Sequence, residues 1–210
     1  MAGKEISAAV IQRLPRYYRY LTELLESGVE RISSKELSER MQVTASQIRQ
    51  DLNNFGGFGQ QGYGYNIEFL HTEIGKILGL DKEYNMIIVG GGNIGQALAH
   101  YGDFRNLGFH VRAIFDIDPE LFGKKIGEVQ IRPMEEMEGF VKNNQVDIGV
   151  VAVQKGVASE VAGQMVALGI KALWNFAPID LTVEKDVIVE NVLLSESLMK
   201  VSYCLQDREE

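Results

Sequence analysis

The residues best suited to binding chemistry are a glycine-rich turn and an acidic residue beyond it. A Gly-x-Gly-x-x-Gly pattern occupies Gly90–Gly95, directly after the apolar segment Met86–Val89. Glycines in such a turn allow a tight backbone and close approach of a pyrophosphate, which faces the N-terminus of the next helix. Asp116 follows Gly95 by 21 residues, the separation expected for an acid that binds dinucleotide ribose hydroxyls. The pattern predicts an NAD(H) site, because a carboxylate repels the extra phosphate of NADP.

Further residues are expected to complete this nucleotide site. The turn and the start of its helix contribute a continuous set of contacts: Gly90, Gly91, Gly92, Asn93, Ile94 and Gly95. Ligands of open parallel sheets bind outside the C-terminal ends of the strands, which also points to Val153 and Phe176. Each of these two is equally compatible with ordinary loop packing. A scaffold without nucleotide, or one that binds coenzyme A, is the alternative interpretation.

The apolar segments around the turn predict the sheet that would carry this site. Segment 147–153 is a continuous apolar run, as expected for a strand buried on both faces. Strands and helices are predicted in alternation, with strands at 86–89, 111–115, 129–131, 147–153, 172–176 and 187–189 and helices at 94–101 and 157–168. Such alternation indicates an α/β fold with a Rossmann-type parallel sheet.

The sequence offers few groups suited to catalysis at that site. Its histidines are His71, His100 and His110. Neither a Ser/Tyr–Lys pairing nor a His–Asp pairing is recognisable in the sequence. A dehydrogenase needs an acid or base directed at a substrate carbonyl beside the nicotinamide. The predicted sheet uses the chain up to about residue 190, which leaves no room for a substrate domain. We therefore expect no enzyme, and a small NAD-dependent oxidoreductase is the rival interpretation.

Two capping patterns near the N-terminus predict a helix-turn-helix. Ser33 and Glu36 form one capping box, and Thr44 and Gln47 form a second. Each box precedes a short amphipathic segment. Two short helices joined by a tight turn are therefore predicted, at 34–41 and 45–53.

The second of these helices has a polar face suited to reading DNA. Its residues recur at helical spacing and none is acidic: Ser46, Arg49, Gln50 and Asn53. Arg binds guanine with two hydrogen bonds, Gln and Asn bind adenine, and Ser takes either role. Gln47 adjoins this face and is included among the expected DNA contacts. The alternative is a solvated face that happens to lack carboxylates.

The flanking segments favour a winged helix. An apolar stripe upstream predicts a first helix, formed by Leu14, Tyr18, Leu21 and Leu25. Arg13 and Arg16 lie on its polar side and are expected to contact DNA phosphate. Downstream, Phe55–Tyr65 holds five glycines and predicts a hairpin wing, from which Gln60 and Tyr63 are expected to contact DNA. A glycine-rich loop without a partner is the alternative.

Composition narrows the class of protein. The chain has 210 residues, 45% of them hydrophobic, and a net charge of −8. Residues 1–82 hold ten basic and ten acidic residues, so residues 83–210 carry all of that charge. Affinity for DNA phosphate must therefore come from the local placement of basic residues within residues 1–82. A single cysteine excludes an internal disulfide. We expect a cytoplasmic protein, because no membrane span or secretory signal is recognisable.

These patterns divide the chain into a winged-helix domain at 1–82, a Rossmann NAD(H)-binding domain at 83–192 and a C-terminal helix at 193–210. The last helix bears an apolar stripe formed by Leu194, Leu198, Val201 and Leu205. A second subunit would cover this stripe, and a two-fold dimer suits a palindromic DNA target. A helix that folds back on its own sheet is the alternative.

The order of these motifs resembles the Rex family of redox-sensing transcriptional repressors of bacteria. The resemblance extends over nearly the whole chain and rests on Arg13–Tyr20, Val43–Leu52, Phe55–Tyr65, Gly90–Gly95 and Gly169–Pro178. It implies a homodimer that binds inverted-repeat operator DNA and swaps its terminal helix onto the partner subunit. It also implies that NADH favours a closed arrangement that fits DNA poorly. NAD+ would compete with NADH and leave DNA binding possible.

Matched position by position, the resemblance adds roles for single residues. Gly90–Gly95 and Asp116 become cofactor contacts, and Tyr101 becomes a residue near the nicotinamide. The DNA contacts that it implies are Ser46, Arg49 and Tyr63. One departure is Leu193, which stands where relatives often carry an aspartate that pairs with an arginine of the first helix, here Arg19. We therefore do not expect that latch in this chain.

Overall fold

The computed structural model describes residues 7–55, 59–60 and 63–206. For Gln60 it describes only the backbone, so the predicted DNA contact of that side chain lies outside the described part. The chain forms two compact units, residues 1–82 and residues 83–210, each with its own hydrophobic core. None of the described helices has both the length and the apolar character that a membrane crossing requires.

The N-terminal unit combines short helices with a small antiparallel sheet. Its helices are α1 (Ala8–Ile11), α2 (Leu14–Glu26), α3 (Ser34–Met41), α4 (Ala45–Asn53) and α5 (Ile67–Ile77). Its strands are β1 (Arg31–Ile32), β2 (Gly59–Gln60) and β3 (Gly64–Asn66), which pair in the order β1-β3-β2. The hairpin of β2 and β3 follows α4 directly, so the predicted winged helix-turn-helix is confirmed.

The ends of α3 and α4 follow from their capping residues. Ser33 and Glu36 form the predicted capping box, in which each side chain bonds the backbone N–H of the other residue. The side chain of Thr44 accepts from the N–H of Gln47, but the Gln47 side chain bonds elsewhere, so the second box forms only in part. Gln42 ends α3 in the left-handed region, with φ 55°, which makes the tight turn between the two helices.

The core of this unit is formed by α2, α3, α4 and α5, with Ile32 and Tyr65 of the small sheet. In α2 the buried residues are Leu14, Tyr17, Leu21 and Leu24. The predicted stripe placed Tyr18 and Leu25 in these positions, and both are only partly buried. The predicted and the buried positions differ by one residue in each case, because adjacent positions on a helix border the same broad apolar face.

The C-terminal unit is built on a mostly parallel sheet. Its strands are β4 (Tyr84–Val89), β5 (Phe109–Asp116), β6 (Lys125–Ile126), β7 (Val129–Pro133), β8 (Ile148–Val151), β9 (Ala172–Asn175) and β10 (Ile188–Asn191). They pair in the order β10-β9-β8-β4-β5-β7-β6, and β6 alone among them runs antiparallel to its neighbour. The predicted strands are all present, with ends that shift by one or two residues. The sequence did not predict β6.

Helices cover both faces of this sheet. They are α6 (Asn93–His100), α7 (Asp103–Asn106), α8 (Met137–Asn143) and α9 (Lys155–Ala167). Residues of α8 and α9 pack on Ile87, Val89 and Phe115 on one face, whereas residues of α6 and α7 pack around Met86 and Ile88 on the other. Two-sided burial explains why the central strands are continuous apolar runs.

The last helix, α10 (Leu194–Gln206), buries none of its described residues. Its apolar side chains are between 53% and 70% exposed, and they include Leu194, Leu198, Val201 and Leu205. The structure therefore does not show the alternative in which this helix folds back on its own sheet.

Candidate functional site

The turn between β4 and α6 requires glycine at two positions for different reasons. Gly90 has a φ of +106°, and a Cβ there would lie 2.3 Å from the carbonyl oxygen of Ala152. A Cβ at Gly95 would lie 1.8 Å from the carbonyl oxygen of Gly90. Neither distance is tolerable between non-bonded atoms. Gly90 therefore lets the turn approach the segment after β8, and Gly95 lets α6 pack against the end of β4.

Gly92 differs from these two because it borders open space. A Cβ at Gly92 would meet no described atom within 4 Å. Gly92 also precedes the first residue of α6, Asn93, and has no side chain to cap the helix. The first N–H groups of a helix lack acceptors within it and carry partial positive charge. The open space beside Gly92 therefore suits a pyrophosphate.

Asp116 is held next to this turn by backbone donors. Its Oδ2 accepts from the N–H of Gly91 at 2.5 Å, and its Oδ1 accepts from the N–H of Asp118 at 2.8 Å. A carboxylate oxygen accepts more than one hydrogen bond, so both oxygens keep capacity for ribose hydroxyls. Asp118, in turn, accepts from the N–H of Glu120 and caps a short 3-10 helix at Pro119–Leu121. Asp116 is thus the better placed of the two acids.

A cavity of about 170 Å³ adjoins Gly90 and Asp116. Its wall is mainly apolar and includes Ile117, Met134, Val153 and Val157. Val153, which the sequence predicted for the site, thus shares a cavity with the glycine turn and the acid. A mainly apolar cavity beside a carboxylate suits the adenine ring of a dinucleotide.

Tyr101 and Phe176, the two aromatic residues predicted for the site, belong to one row of rings. The ring centroids of Tyr101 and Phe104 are 4.7 Å apart, those of Phe104 and Trp174 are 5.6 Å apart, and those of Trp174 and Phe176 are 4.6 Å apart. Tyr101 is 54% exposed at the end of this row. Phe104 and Trp174 were not predicted to join this row, although their aromatic side chains were the available signal.

His71 and His110 have partners outside the glycine turn, and His100 is the last residue of α6. In the N-terminal unit His71 stacks on Tyr18 and its Nε2 lies 3.0 Å from the Thr22 hydroxyl, while burial lowers the pKa of His71. In the C-terminal unit His110 pairs with Glu83. Within the described part of the chain, no three His, Cys, Asp or Glu residues are grouped so as to hold a metal ion.

The predicted reading face of α4 is continuous and open to solvent. Ser46, Arg49, Gln50 and Asn53 line one surface concavity of about 340 Å³. Asn54, which the sequence did not single out, completes its lining. The Nη1 of Arg49 donates to the hydroxyl of Ser34 on α3, at 2.9 Å. This bond gives the arginine a defined direction before any ligand arrives. We call these five lining residues the reading surface.

Arg13 and Gln47, both predicted as DNA contacts, bond a buried carboxylate instead. Arg13 donates to Asp51 from Nε at 2.7 Å and from Nη2 at 2.8 Å. Gln47 donates to Asp51 from Nε2 at 2.7 Å. Neither partnership was foreseen, because the sequence analysis gave Asp51 no role. The main donors of Arg13 and Gln47 are therefore engaged inside the domain.

Arg16 and Tyr63 occupy the remaining predicted positions. The Nη2 of Arg16 donates to the carbonyl of Met41 at 2.9 Å, so Arg16 satisfies the last turn of α3. Tyr63 is 71% exposed beside the wing, where its carbonyl accepts from Arg31. Tyr63 is therefore free to contact a ligand, whereas Arg16 already has a partner in the fold.

Burial, hydrogen bonding and charge set the protonation states of Asp51 and Tyr17. Burial raises the pKa of Asp51, but the hydrogen bonds from Arg13, Gln47 and Tyr17 outweigh burial and lower its pKa overall. Tyr17 donates its hydroxyl to the carboxylate at 2.9 Å. Burial and this carboxylate raise the pKa of Tyr17, so the phenol stays protonated and remains a donor.

Family models match both units. A model described as the N-terminus of putative DNA-binding proteins matches residues 5–53, and a CoA-binding domain model matches residues 81–179. Among named proteins, the redox-sensing transcriptional repressor Rex of Clostridioides difficile (strain 630) is 58% identical over 207 residues and 99% of both chains. The protein of that name from Thermoanaerobacter pseudethanolicus (strain ATCC 33223 / 39E) is 60% identical, over 98% of this chain and 92% of its own.

Solved structures of similar proteins match this chain over nearly its whole length. A crystal structure of RSP in complex with beta-NAD+ and operator DNA has a TM-score of 0.92 and 59% identity, covering 98% of this chain and 95% of that one. A structure of RSP with beta-NADH has a TM-score of 0.91 and 56% identity, covering 98% and 97%. RSP is described as a Rex-family repressor.

Proposed function

Because this chain belongs to the Rex family of redox-sensing transcriptional repressors, we propose that it binds operator DNA and releases it when NADH binds. The observation that carries this proposal is the pairing of two sites in one chain. The reading surface has no acidic residue, and the glycine turn lies beside a carboxylate held by two backbone donors.

The C-terminal unit is proposed to bind NAD(H) through residues 90–95, Asp116 and the adjoining cavity. The pyrophosphate would lie over Gly92 at the start of α6, the ribose on Asp116, and the adenine against Val153. The aromatic row that joins Tyr101 to Phe176 would then face the nicotinamide end. When bound, the dinucleotide acts as a reporter of redox state, since its oxidised and reduced rings differ in charge and hydrogen content.

The N-terminal unit is proposed to bind DNA through α4 in the major groove. Arg49 would bind guanine, while Gln50 and Asn53 would bind adenine. Ser46 borders these side chains, and exposed Tyr63 extends the contact to the wing. Arg13, Arg16 and Gln47 are left out of this set because they do not line the concavity of the reading surface and their donors bond groups within the domain.

The working form is proposed to be a homodimer on an inverted repeat. An exposed apolar stripe on α10 needs a cover, and a two-fold dimer matches a palindromic target. The division into a DNA-binding part at 1–82, a nucleotide-binding part at 83–192 and a dimerisation helix at 193–210 belongs to the same proposal. A cytoplasmic location follows from a partner that is chromosomal DNA in bacteria.

A regulatory role is proposed in preference to an enzymatic one. His71 and His110 bond or stack on residues outside the glycine turn, and the proposal gives His100, the last residue of α6, no catalytic role. Release of DNA also requires that NADH bind the DNA-free form more tightly than the DNA-bound form. The CoA-binding description of one matching model keeps coenzyme A as the competing ligand.

Two measurements test this function. Calorimetry with NADH, NAD+, NADPH and coenzyme A separately is expected to show tightest binding of NADH and weak binding of NADPH. Fluorescence anisotropy with an inverted-repeat duplex, selected from a random pool by the wild-type chain, is expected to show release on addition of NADH. Tighter binding of coenzyme A than of NADH, or DNA affinity unchanged at saturating NADH, would contradict the proposal.

A further inference from the structure

A carboxylate lies fully buried beneath the reading surface. Asp51 has no solvent exposure, and Asp51 and Asn175 are the buried polar residues among those described. Its Oδ1 accepts from Arg13 Nη2 and Gln47 Nε2, and its Oδ2 accepts from Arg13 Nε and the Tyr17 hydroxyl. Each oxygen therefore has two donors at 2.9 Å or less. Arg13 supplies the compensating charge as an ion pair.

These bonds connect α4 to α2 rather than stabilising α4 alone. Arg13 directly precedes α2 and Tyr17 lies within it, whereas Gln47 and Asp51 are both on α4. The bonds from Arg13 and Tyr17 span 38 and 34 residues of sequence. The bond from Gln47 lies within one helix at a separation of four residues. Asp51 is thus a buried point at which directed bonds attach α4 to α2, in addition to the exposed bond from Arg49 to Ser34 on α3.

Apolar burial does not require this carboxylate. Helix α4 already buries Ile48 and Leu52 completely or nearly so, at 0% and 1% exposure. The hydrophobic effect is non-directional and the apolar face of a helix is broad, so apolar contacts fix the rotation of a helix only coarsely. Charge-assisted and bidentate hydrogen bonds are directional, and a paired guanidinium and carboxylate define one orientation. The carboxylate therefore adds an orientation that the apolar contacts do not supply.

The orientation of α4 matters because Arg49 and Gln50 directly precede Asp51. Bidentate contacts to base edges need donors and acceptors within about 3 Å of their partners. A small rotation of α4 would move both side chains together. We propose that Asp51 is a positioning residue for sequence reading, which sets the rotation of α4 through Arg13 and Tyr17 on one side and Gln47 on the other. This inference rests on the DNA binding proposed above.

The test compares affinity for the selected inverted-repeat duplex with affinity for a scrambled duplex. Asp51→Asn keeps the size of the side chain and removes its charge. We expect the ratio of the two affinities to fall about tenfold, at a temperature where the variant is folded by circular dichroism. NADH affinity should stay within about twofold of the wild-type value, because that site lies in the other unit.

Two further variants separate positioning from general stability. Leu52→Ala weakens the core of the same helix and touches no bond to Asp51, so the affinity ratio should be retained once the protein is folded. Tyr17→Phe keeps the buried ring and removes one donor, so a fall of about threefold in the ratio is expected. Tyr17→Phe decides the matter if Asp51→Asn does not fold.

The outcomes are distinct. The positioning role is overturned if every folded variant of Asp51 or Tyr17 keeps the affinity ratio within about twofold of wild type, or lowers it no more than Leu52→Ala does. A wild-type chain that binds both duplexes equally would instead overturn the proposed sequence-specific DNA binding. A lower ratio in Tyr17→Phe with the ratio retained in Leu52→Ala supports the inference.

Discussion

The two sites of this protein are built by opposite means. The reading surface consists of side chains, and its members are aimed by hydrogen bonds such as the one between Arg49 and Ser34. The nucleotide site consists largely of backbone, and three glycines shape it by the side chains that they lack. The base edges of DNA differ from one sequence to another, whereas a pyrophosphate is always the same group. Variable recognition therefore rests on side chains and invariant recognition on backbone.

This contrast yields a simple expectation for mutations. Adding atoms should damage the nucleotide site, and removing donors should damage the reading surface. Five substitutions test that difference, from the largest expected effect to the smallest.

Gly95→Ala should have the largest effect, because its Cβ would lie 1.8 Å from the carbonyl oxygen of Gly90. We expect the C-terminal unit to lose about 3 kcal/mol of unfolding free energy, measured by urea unfolding, and NADH binding to be lost. Gly92→Ala is the matched change, since a Cβ there meets no described atom within 4 Å. It should keep the stability and lose NADH affinity alone. Equal stability of Gly95→Ala and the wild type would refute the packing argument.

Arg49→Ala should remove one bidentate base contact, worth about 1–3 kcal/mol of discrimination. Affinity for the selected duplex, measured by anisotropy, should fall by one to two orders of magnitude, while calorimetric NADH affinity is unchanged. Arg40→Ala is the control, because Arg40 is an exposed arginine of α3 away from the reading surface. If both variants lose affinity to the same extent, the loss reflects net charge rather than the reading surface.

Asp51 should make the N-terminal unit sensitive to acid. Its pKa is lowered in the folded state, so its contribution to stability is present above the unfolded pKa of about 3.9 and is lost as pH falls through the folded pKa. Urea unfolding from pH 6 to pH 3 should show a flatter acid limb for Asp51→Asn than for wild type, by about 1–3 kcal/mol. Glu36→Gln is the comparison variant, because the Glu36 carboxylate is exposed and its pKa is also lowered. An acid limb that is identical in Asp51→Asn and wild type would exclude the stabilising role of the Asp51 carboxylate.

Asp116→Asn should weaken NADH binding without unfolding the site. The amide oxygen still accepts one backbone N–H, whereas the charge that favours ribose hydroxyls is gone. We expect calorimetry to show about a tenfold loss for NADH and a smaller loss, or a gain, for NADPH. Unchanged preference between the two nucleotides would mean that another group sets it.

Ser34→Ala should have the smallest effect, since it removes only the exposed hydrogen bond that aims Arg49. Affinity for the selected duplex should fall about two- to fivefold, with an unchanged melting temperature. Ser38→Ala is a closely matched control on the same helix, because the Ser38 hydroxyl bonds the carbonyl of Lys35 instead. The same loss in both variants would show that helix propensity, and not the direction of Arg49, is responsible.

Local patterns in the sequence were sufficient for most elements of this fold, although not for β6, α7 or α8. The caps at Ser33 and Thr44 predicted the first residues of α3 and α4 correctly, because capping depends on neighbouring residues alone. The turn at 90–95 and the run that ends at Asp116 were recognisable for the same reason. The reading surface also follows from spacing on one helix, since residues at separations of three and four share a face.

Partners distant in sequence were beyond such patterns. The amino-acid sequence by itself determined the main helices and strands and the glycine turn, because capping, apolar periodicity and glycine spacing are local signals. Only the tertiary structure decided that Arg13 and Tyr17 hold a buried Asp51, and that Phe104 meets Trp174 between Tyr101 and Phe176. The physical reason is that a polar or aromatic side chain bonds whichever partner folding brings within reach, and its own neighbours do not reveal that partner.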